Sequence, residues 1–558
     1  MADTAGRIVG IDLGTTFSAL AYIDARGRPV SVPNEEGELV TPSAVLVRPD
    51  RTIQVGSQAL LAAEDQPQNV ATNVKRDMGE KFYHRLVGGR QFSPEALSAL
   101  VLKKLVKDAA REIGDVAGAV VTVPAYFGDR RRRATEDAGR IASLNVVDII
   151  NEPTAAALAN AFRCYVERGG ETTRFETAGI AATAPSTTLI FDLGGGTFDV
   201  TIIRIAGPEF EVVATGGEVR LGGVDFDARL LDFFCEQFVR RFGVDPRDNE
   251  ESRARVRHVC EHAKIALSSR EQTVMICDHL GQTLHLPITR RQFEDLTADL
   301  ITRTQISTDM LLQDALLTWG KIDDLLLVGG SAQMPAVRQM LERISGMKPN
   351  MAIAPDQIVA HGAAIHAAII QMKDTAVTTL PDGARRIDSD AASGGPADDE
   401  PIELFKFEPS VVEAARQVKL ADVNAHSLGV IVRSSREDRI VNSMIIPRNT
   451  PLPVTRTKIF GTEAANQRVV RIPVVEGETR DPRGCTQIGE CMIQELPPGL
   501  PQGSPVEVTF RYDTSGRVHI RAVETMYNTE ASADIKRDSG FAPADLDALA
   551  DAVRELDV

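Results

Sequence analysis

The stretch Phe191-Asp192-Leu193-Gly194-Gly195-Gly196-Thr197-Phe198-Asp199 constrains the chain more than any other. It follows the apolar run Thr188-Leu189-Ile190, which reads as a strand buried on both faces. Three consecutive glycines weaken helix and strand alike, so they suit a tight turn whose bare backbone admits a ligand. Successive amide N–H groups in such a turn form a concave anion site, and phosphate is the usual guest. Asp192 and Asp199 would repel that guest directly. A divalent cation removes the conflict, so the stretch predicts metal–phosphate binding; a plain glycine hairpin is the bland alternative.

Near the start, Ile8-Val9-Gly10-Ile11-Asp12-Leu13-Gly14-Thr15-Thr16-Phe17-Ser18 repeats the grammar of apolar strand, Asp-Leu-Gly, and threonine before an aromatic. The two turns lie too far apart for a solenoid. They suggest two similar lobes, each presenting a phosphate hairpin to a shared cleft, the logic of the actin-like, sugar-kinase and heat-shock ATPase fold. At 558 residues the chain also exceeds one core, so further domains are expected. A net charge of −16 argues against a general nucleic-acid or membrane binder. No stretch has the length of a transmembrane helix, and Met1 to Arg7 lacks the apolar core of a signal peptide. The six cysteines are scattered without a CxxC pair. Cys164, Cys235 and Cys260 read as reduced core residues, while Cys485 and Cys491 could meet across a β-turn. The expectation is a cytoplasmic protein that binds neither nucleic acid nor membrane.

Along the chain, Ser93 to Ile113 reads as an amphipathic helix capped by Ser93, with Leu97, Leu100, Val101, Leu105 and Val106 on its apolar stripe. Ala119 to Val123 is a buried strand stopped by Pro124, and Asp129 is placed as N-cap of the next helix. That helix opens on Arg130 to Arg133, which opposes its dipole, so at least one arginine should have an acidic partner elsewhere. Glu152 stands on a strand-to-helix turn, where open α/β sheets bind ligands. Residues 167–187 read as a long surface loop. Helices follow from Asp225, over Ser252 to Ser268 and over Gln292 to Leu317; the strand Asp324 to Val328 ends in Gly329-Gly330, and Pro355 to Ile370 is a small-residue helix. Composition shifts over 374–403 to an acidic segment that reads as disordered. From Ser427 short alternating strands predict a β-sandwich, and Ala542 to Leu556 a final helix.

These motifs, with Val121-Thr122-Val123-Pro124-Ala125-Tyr126-Phe127, Ile150-Asn151-Glu152-Pro153-Thr154, Leu221-Gly222-Gly223-Val224-Asp225 and Leu327-Val328-Gly329-Gly330, resemble the seventy-kilodalton heat-shock chaperone family. The resemblance implies a two-lobed actin-like α/β ATPase domain over 1–372, an acidic insert and interdomain linker over 373–421, an all-β sandwich for peptide over 422–540, and a remnant of a helical lid over 541–558. It implies ATP or ADP with Mg²⁺ as cofactors. Gly14, Thr15 and Thr16, with Gly194, Gly195, Gly196 and Thr197, would cradle the phosphates. Asp12, Asp192 and Glu152 would orient Mg²⁺ through waters, and Lys75 would position the attacking water. Glu261, Lys264 and Ser268, with Gly329, Gly330 and Asp356, match the adenosine pocket. Pro124, Arg132, Val418, Leu420 and Asp422 match the elements that report nucleotide state, and Val430, Val470 and Ile472 the peptide groove. Partners implied are unfolded or extended polypeptide segments, with room for J-domain and nucleotide-exchange co-chaperones.

Four departures qualify the match. Gln333 stands where an arginine usually stacks on adenine, so adenine affinity should fall by about 0.5–2 kcal/mol. The linker Val418-Lys419-Leu420-Ala421 is less apolar than usual, so its docking should weaken. Arg433 and Glu463 replace apolar groove-edge residues. A single final helix implies little lid and fast peptide release. Two other functions compete: a small-molecule kinase on the same fold, which has no use for a C-terminal sandwich, and a nucleotide-switched scaffold for one dedicated partner with vestigial turnover.

Overall fold

The computed structural model describes residues 7–24, 27–50, 52–167, 185–351, 355–375, 417–434, 437–513, 518–527, 529–534 and 543–554. The loop 167–187 and the acidic stretch 374–403 fall almost wholly outside them.

The repeated grammar is a repeated topology. In the first lobe Arg7–Asp12 pairs antiparallel with Phe17–Ile23 and parallel with Val116–Val123. In the second, Ser186–Leu193 pairs antiparallel with Phe198–Ala206 and parallel with Asp324–Val328. Each strand that ends in Asp-Leu-Gly is therefore interior to its sheet, which explains why both read as unbroken apolar runs. The helices Glu152–Glu167 and Ile358–Thr375 fill the space between the sheets, with Ala155, Ala156, Ala157, Ala360, Ala363 and Ala364 in one buried cluster. The residues must be small because the backbones touch. A Cβ at Gly362 would collide with the Ala155 carbonyl, and one at Gly10 with the Ala364 backbone. The second helix runs to Thr375, three residues beyond the expected boundary at 372.

In the second lobe Phe226, Leu230, Phe234 and Phe238 line the buried face of the helix Gly223–Phe242. The segment read as one helix from Gln292 to Leu317 is two, Arg290–Leu296 and Ala298–Asp314. Thr297 separates them, its hydroxyl turned back to the Phe293 carbonyl at 2.9 Å. Asp129 is not an N-cap. Gly128 holds that position, and Asp129, the first residue of the helix, pairs through its carboxylate with Arg133 one turn on at 2.9 Å. One arginine of the run has the expected acidic partner, Arg130 facing Glu80 at 3.6 Å, while Arg132 donates to the Phe127 carbonyl at 3.2 Å.

The C-terminal part is a sandwich of two four-stranded sheets. One runs Arg439–Ile446, Leu428–Ser434, Val470–Glu476, Thr486–Ile493; the other runs Val454–Gly461, Pro505–Tyr512, Val518–Glu524, Thr529–Asp534. Leu428, Val474, Val508, Phe510 and Ile520 pack between them. Cys485 and Cys491 do not pair: Cys491 lies in this core opposite Ile472, while the Cys485 thiol reaches the Thr479 carbonyl at 3.3 Å.

The sandwich is seated on the lobes. The linker strand Lys419–Ala421 extends the second-lobe sheet in parallel beside Glu209–Glu218. Val418 is fully buried at its start, whereas the Lys419 ammonium points out to Glu209 at 2.9 Å. A lysine is tolerated because strand alternation turns it to solvent. Arg448 pairs with Asp314, and the Thr215 amide donates to Asn449 Oδ1 at 3.0 Å. The final helix Pro543–Arg554 lies on the first lobe, where Leu546 and Val553 enter the core. Among the described residues no helix is long and apolar enough to cross a membrane.

Candidate functional site

Both Asp-Leu-Gly turns sit at the carboxyl ends of interior strands, where α/β sheets bind ligands. They face each other. A side chain at Gly195 would strike Thr16, and one at Gly196 would strike Thr15. The tips are held from behind. Gly223 and Val224 donate their amides to the carbonyls of Gly194 and Gly195 at 3.0 and 2.9 Å. Arg76 crosses from the first lobe, donating Nε to the Gly196 carbonyl at 3.1 Å and pairing with Asp225. On the first hairpin, Ser43 donates to the Gly14 carbonyl at 2.9 Å. With these carbonyls engaged from behind, the two tips are held fixed against each other.

Beneath the tips lie Asp12, Asp192, Asp199 and Glu152, with the buried ammonium of Lys75 beside them, ion-paired to Glu152. Burial first, then Glu152, pushes the Asp12 carboxyl up to about 7, against the pull of Lys75 and Thr122. Burial, Glu152 and Asp199 raise Asp192 well above the usual carboxylate range. Burial and Glu152 raise Asp199 to about 7, although the Tyr126 amide donates to it at 2.9 Å. Burial works against the Lys75 charge, but Glu152 and Asp12 outweigh it and hold the ammonium above its ordinary value. The site is short of positive charge. Among the described residues no three His, Cys, Asp or Glu side chains form a ready metal cage. The donor set therefore fits a hard cation that arrives with waters or phosphate oxygens of its own, as Mg²⁺ does.

On the other side of the cleft, Glu261, Lys264 and Ser268 share one face of the helix Glu250–Ser269. Lys264 is committed: it pairs with Asp227 at 2.8 Å and donates to the Gly223 carbonyl at 3.2 Å. Gly329 closes this wall at φ 83°, where a Cβ would meet the Leu193 carbonyl, and its amide donates to the Pro355 carbonyl at 3.3 Å. Gly330 opens the short turn that follows, Asp356 is exposed nearby, and Gln333 is exposed. A cavity of about 850 Å³ opens between the lobes from Thr15, Thr16 and Glu261 outward. Arg85–Glu250 at 3.2 Å and His258–Glu64 at 3.1 Å bridge the lobes beside it.

Pro124 ends its strand in the core, and Arg132 reaches Asn151, which in turn donates to the half-buried Asp422. Burial raises the Asp422 carboxyl, and Arg132 pulls it back. Leu420 is partly buried on the second-lobe sheet. The groove residues are a correction. Val430 and Ile472 are buried in the sandwich core and only Val470 is partly exposed, because alternate positions of both strands turn inward between the sheets. Arg433 faces Asp438 at 3.4 Å in solvent, and Glu463 is exposed. Arg76 and Asn151 carried no role in the sequence reading. Arg76 follows Lys75 and Asn151 precedes Glu152, but only three-dimensional proximity shows what each one bridges.

A family model described as Hsp70 protein matches residues 8–382 and 409–557, leaving part of the acidic stretch outside the match. Chaperone protein DnaK of Thermotoga neapolitana is 36% identical over 541 residues, covering 95% of this chain and 80% of the relative. Chaperone protein DnaK of Thermus thermophilus is 36% identical over 561 residues, with the same coverage of 95% and 80%.

Proposed function

The chain belongs to the Hsp70 family, and on that premise we propose that it is an ATP-dependent chaperone, an ATPase that couples nucleotide state to the binding of extended apolar polypeptide segments. The observation that carries this is the pair of facing hairpins over buried carboxylates and one lysine. In this reading Gly14, Thr15, Thr16, Gly194, Gly195, Gly196 and Thr197 hold the phosphates of ATP or ADP. Asp12, Asp192 and Glu152 orient the waters of Mg²⁺, which supplies neutralisation of charge on the transferred phosphoryl group. Lys75 holds the attacking water in line and stabilises negative charge, and Glu152 keeps that ammonium in place. Glu261, Lys264, Ser268, Gly329, Gly330 and Asp356 form the adenosine wall, with Lys264 acting from its bond to Asp227.

Residues 1–372 make the nucleotide unit, 373–421 the insert and linker, 422–540 the peptide unit and 541–558 the terminal helix. Pro124, Arg132, Val418, Leu420 and Asp422 carry the signal between them. Val430, Val470 and Ile472 serve peptide only if the sandwich opens, since two of them are now buried. J-domain and nucleotide-exchange partners and a cytoplasmic setting belong to the same reading. The dedicated-partner scaffold is the weaker alternative, because Lys75, Glu152, Asp12 and Asp192 act on one another beneath the hairpins. The test is peptide affinity measured with ADP and with ATP, alongside ATP turnover with and without an unfolded peptide. Equal affinities in the two nucleotide states would remove the chaperone cycle; absent turnover would remove the ATPase.

A further inference from the structure

Glu476 ends the strand Val470–Glu476 and enters the seam between the sandwich and the first lobe. Its carboxylate is buried against the start of the helix Asp129–Ile141. Oε1 accepts from the Asp129 amide at 3.3 Å, and Oε2 lies so close to Gly128 that any Cβ there would collide with it. Asp129 is itself buried beside it. Two carboxylates from different units thus share one buried seam. Arg131 and Tyr126 face this seam from the lobe, with Arg133 held on Asp129. His426 and Tyr512 face it from the sandwich. His426 Nε2 lies 3.1 Å from the Tyr126 carbonyl, and its ring packs edge-on against Tyr126 with centroids 4.3 Å apart. Glu478, on the chain just after the strand, accepts from the Ser427 amide at 2.9 Å. Arg132 and Asp422 lie further along, near Tyr512.

We propose that this seam is a proton-operated latch: Glu476 docks as the neutral acid, so acidification holds the sandwich on the first lobe and rising pH lets them part. The latch needs only the docked arrangement and is independent of which peptide the sandwich takes. An ionised carboxylate beside another in a dry interface is costly unless it is neutralised. Burial pushes the Glu476 carboxyl above its ordinary value and Asp129 adds to this, while His426, the Asp129 amide and Arg131 pull it back only in part. Once the sandwich lifts away, Glu476 returns to water and to ordinary carboxylate behaviour. The docked form therefore holds the extra proton. Its advantage is complete below the undocked carboxylate range and is lost as pH rises through the docked one, by at most about tenfold in the docking constant per pH unit for one proton. Burial raises Asp422 as well, which gives the same sign, so the variants must separate the two groups.

The test is a fluorescence distance between one label on the first lobe and one on the sandwich, in the full chain with ATP, from about pH 5.5 to about pH 8.5. The wild type should lose docking several-fold per pH unit over part of that range. Glu476→Gln should stay docked to higher pH and lose most of the slope, keeping only what Asp422 contributes. Asp129→Asn, which removes the like charge, should move the fall to lower pH. A flat wild-type profile, or a wild-type slope retained in Glu476→Gln, overturns the latch and in the latter case places the proton on another group of the interface. If Glu476→Gln does not fold, an unmoved midpoint in Asp129→Asn overturns it alone.

Discussion

Replacing Asn151 with alanine should unseat the linker. Asp422 follows the linker strand directly and is half-buried. It receives its own Val423 amide at 2.8 Å and the Asn151 side-chain amide. Arg132 reaches the same Asn151 through its carbonyl oxygen, so one amide joins a guanidinium on the first lobe to a carboxylate on the linker. Asn151→Ala removes the donor from a half-buried charge and the acceptor from a cation together. A hydrogen bond to a charged group contributes about 1.5–3 kcal/mol, which corresponds to a fall of roughly tenfold to a hundredfold in the docking constant. Hydrogen exchange reads this directly, because the Lys419 amide donates to the Pro208 carbonyl at 3.0 Å only while the strand is paired. Protection at Lys419 should drop by that factor, and peptide should no longer stimulate turnover. Asn151→Asp should lose more, since it keeps the acceptor for Arg132 but sets a second carboxylate against Asp422. Lys419 protection within about twofold of wild type in Asn151→Ala would refute the relay.

Lys75→Met should slow single-turnover hydrolysis by about 10²–10³ while nucleotide still binds in calorimetry, as loss of one preorganised charge does. On the linker, Leu420→Asp should uncouple turnover from peptide, whereas Lys419→Ala should cost under about 1 kcal/mol in docking, because its pair with Glu209 lies in solvent. Gly362→Val should lower the melting temperature and destabilise the chain by about 3 kcal/mol or more, since its side chain would meet the Ala155 carbonyl where two helix backbones touch. Asp12 and Asp199 are raised to about 7 when folded, so the chain without nucleotide should lose thermal stability as pH rises from about 6 to about 8. Mg·ATP should reverse that loss, and its affinity should fall below pH 7 as protons compete for the same carboxylates; a melting temperature that climbs with pH in the nucleotide-free chain contradicts this.

The two hairpins are legible in the residues that form them. Glycine two residues after an aspartate at the end of an apolar run has few uses other than a close backbone approach, and the second copy of that pattern implied a second lobe. The caps and stripes were equally local: Ser93 accepts from the Ala96 amide at 3.2 Å, as its place before Pro94 foretold. Where the reading failed, the deciding contact came from far along the chain. Asp129 resembles an N-cap, but Gly128 caps the helix and the Asp129 amide is spoken for by Glu476 of the sandwich. Val430 and Ile472 resemble groove residues, yet packing between two sheets buries them.

By itself the sequence determined the family and the two glycine hairpins, because short-range chemistry such as glycine turns, caps and buried apolar runs is written in adjacent residues. Only the tertiary structure decided that Lys75 is tied to Glu152, that Asn151 bridges Arg132 to Asp422, and that Glu476 is sealed against Asp129. Charge and burial at those places belong to pairs of groups distant along the chain, and no single stretch of residues contains both members of the pair.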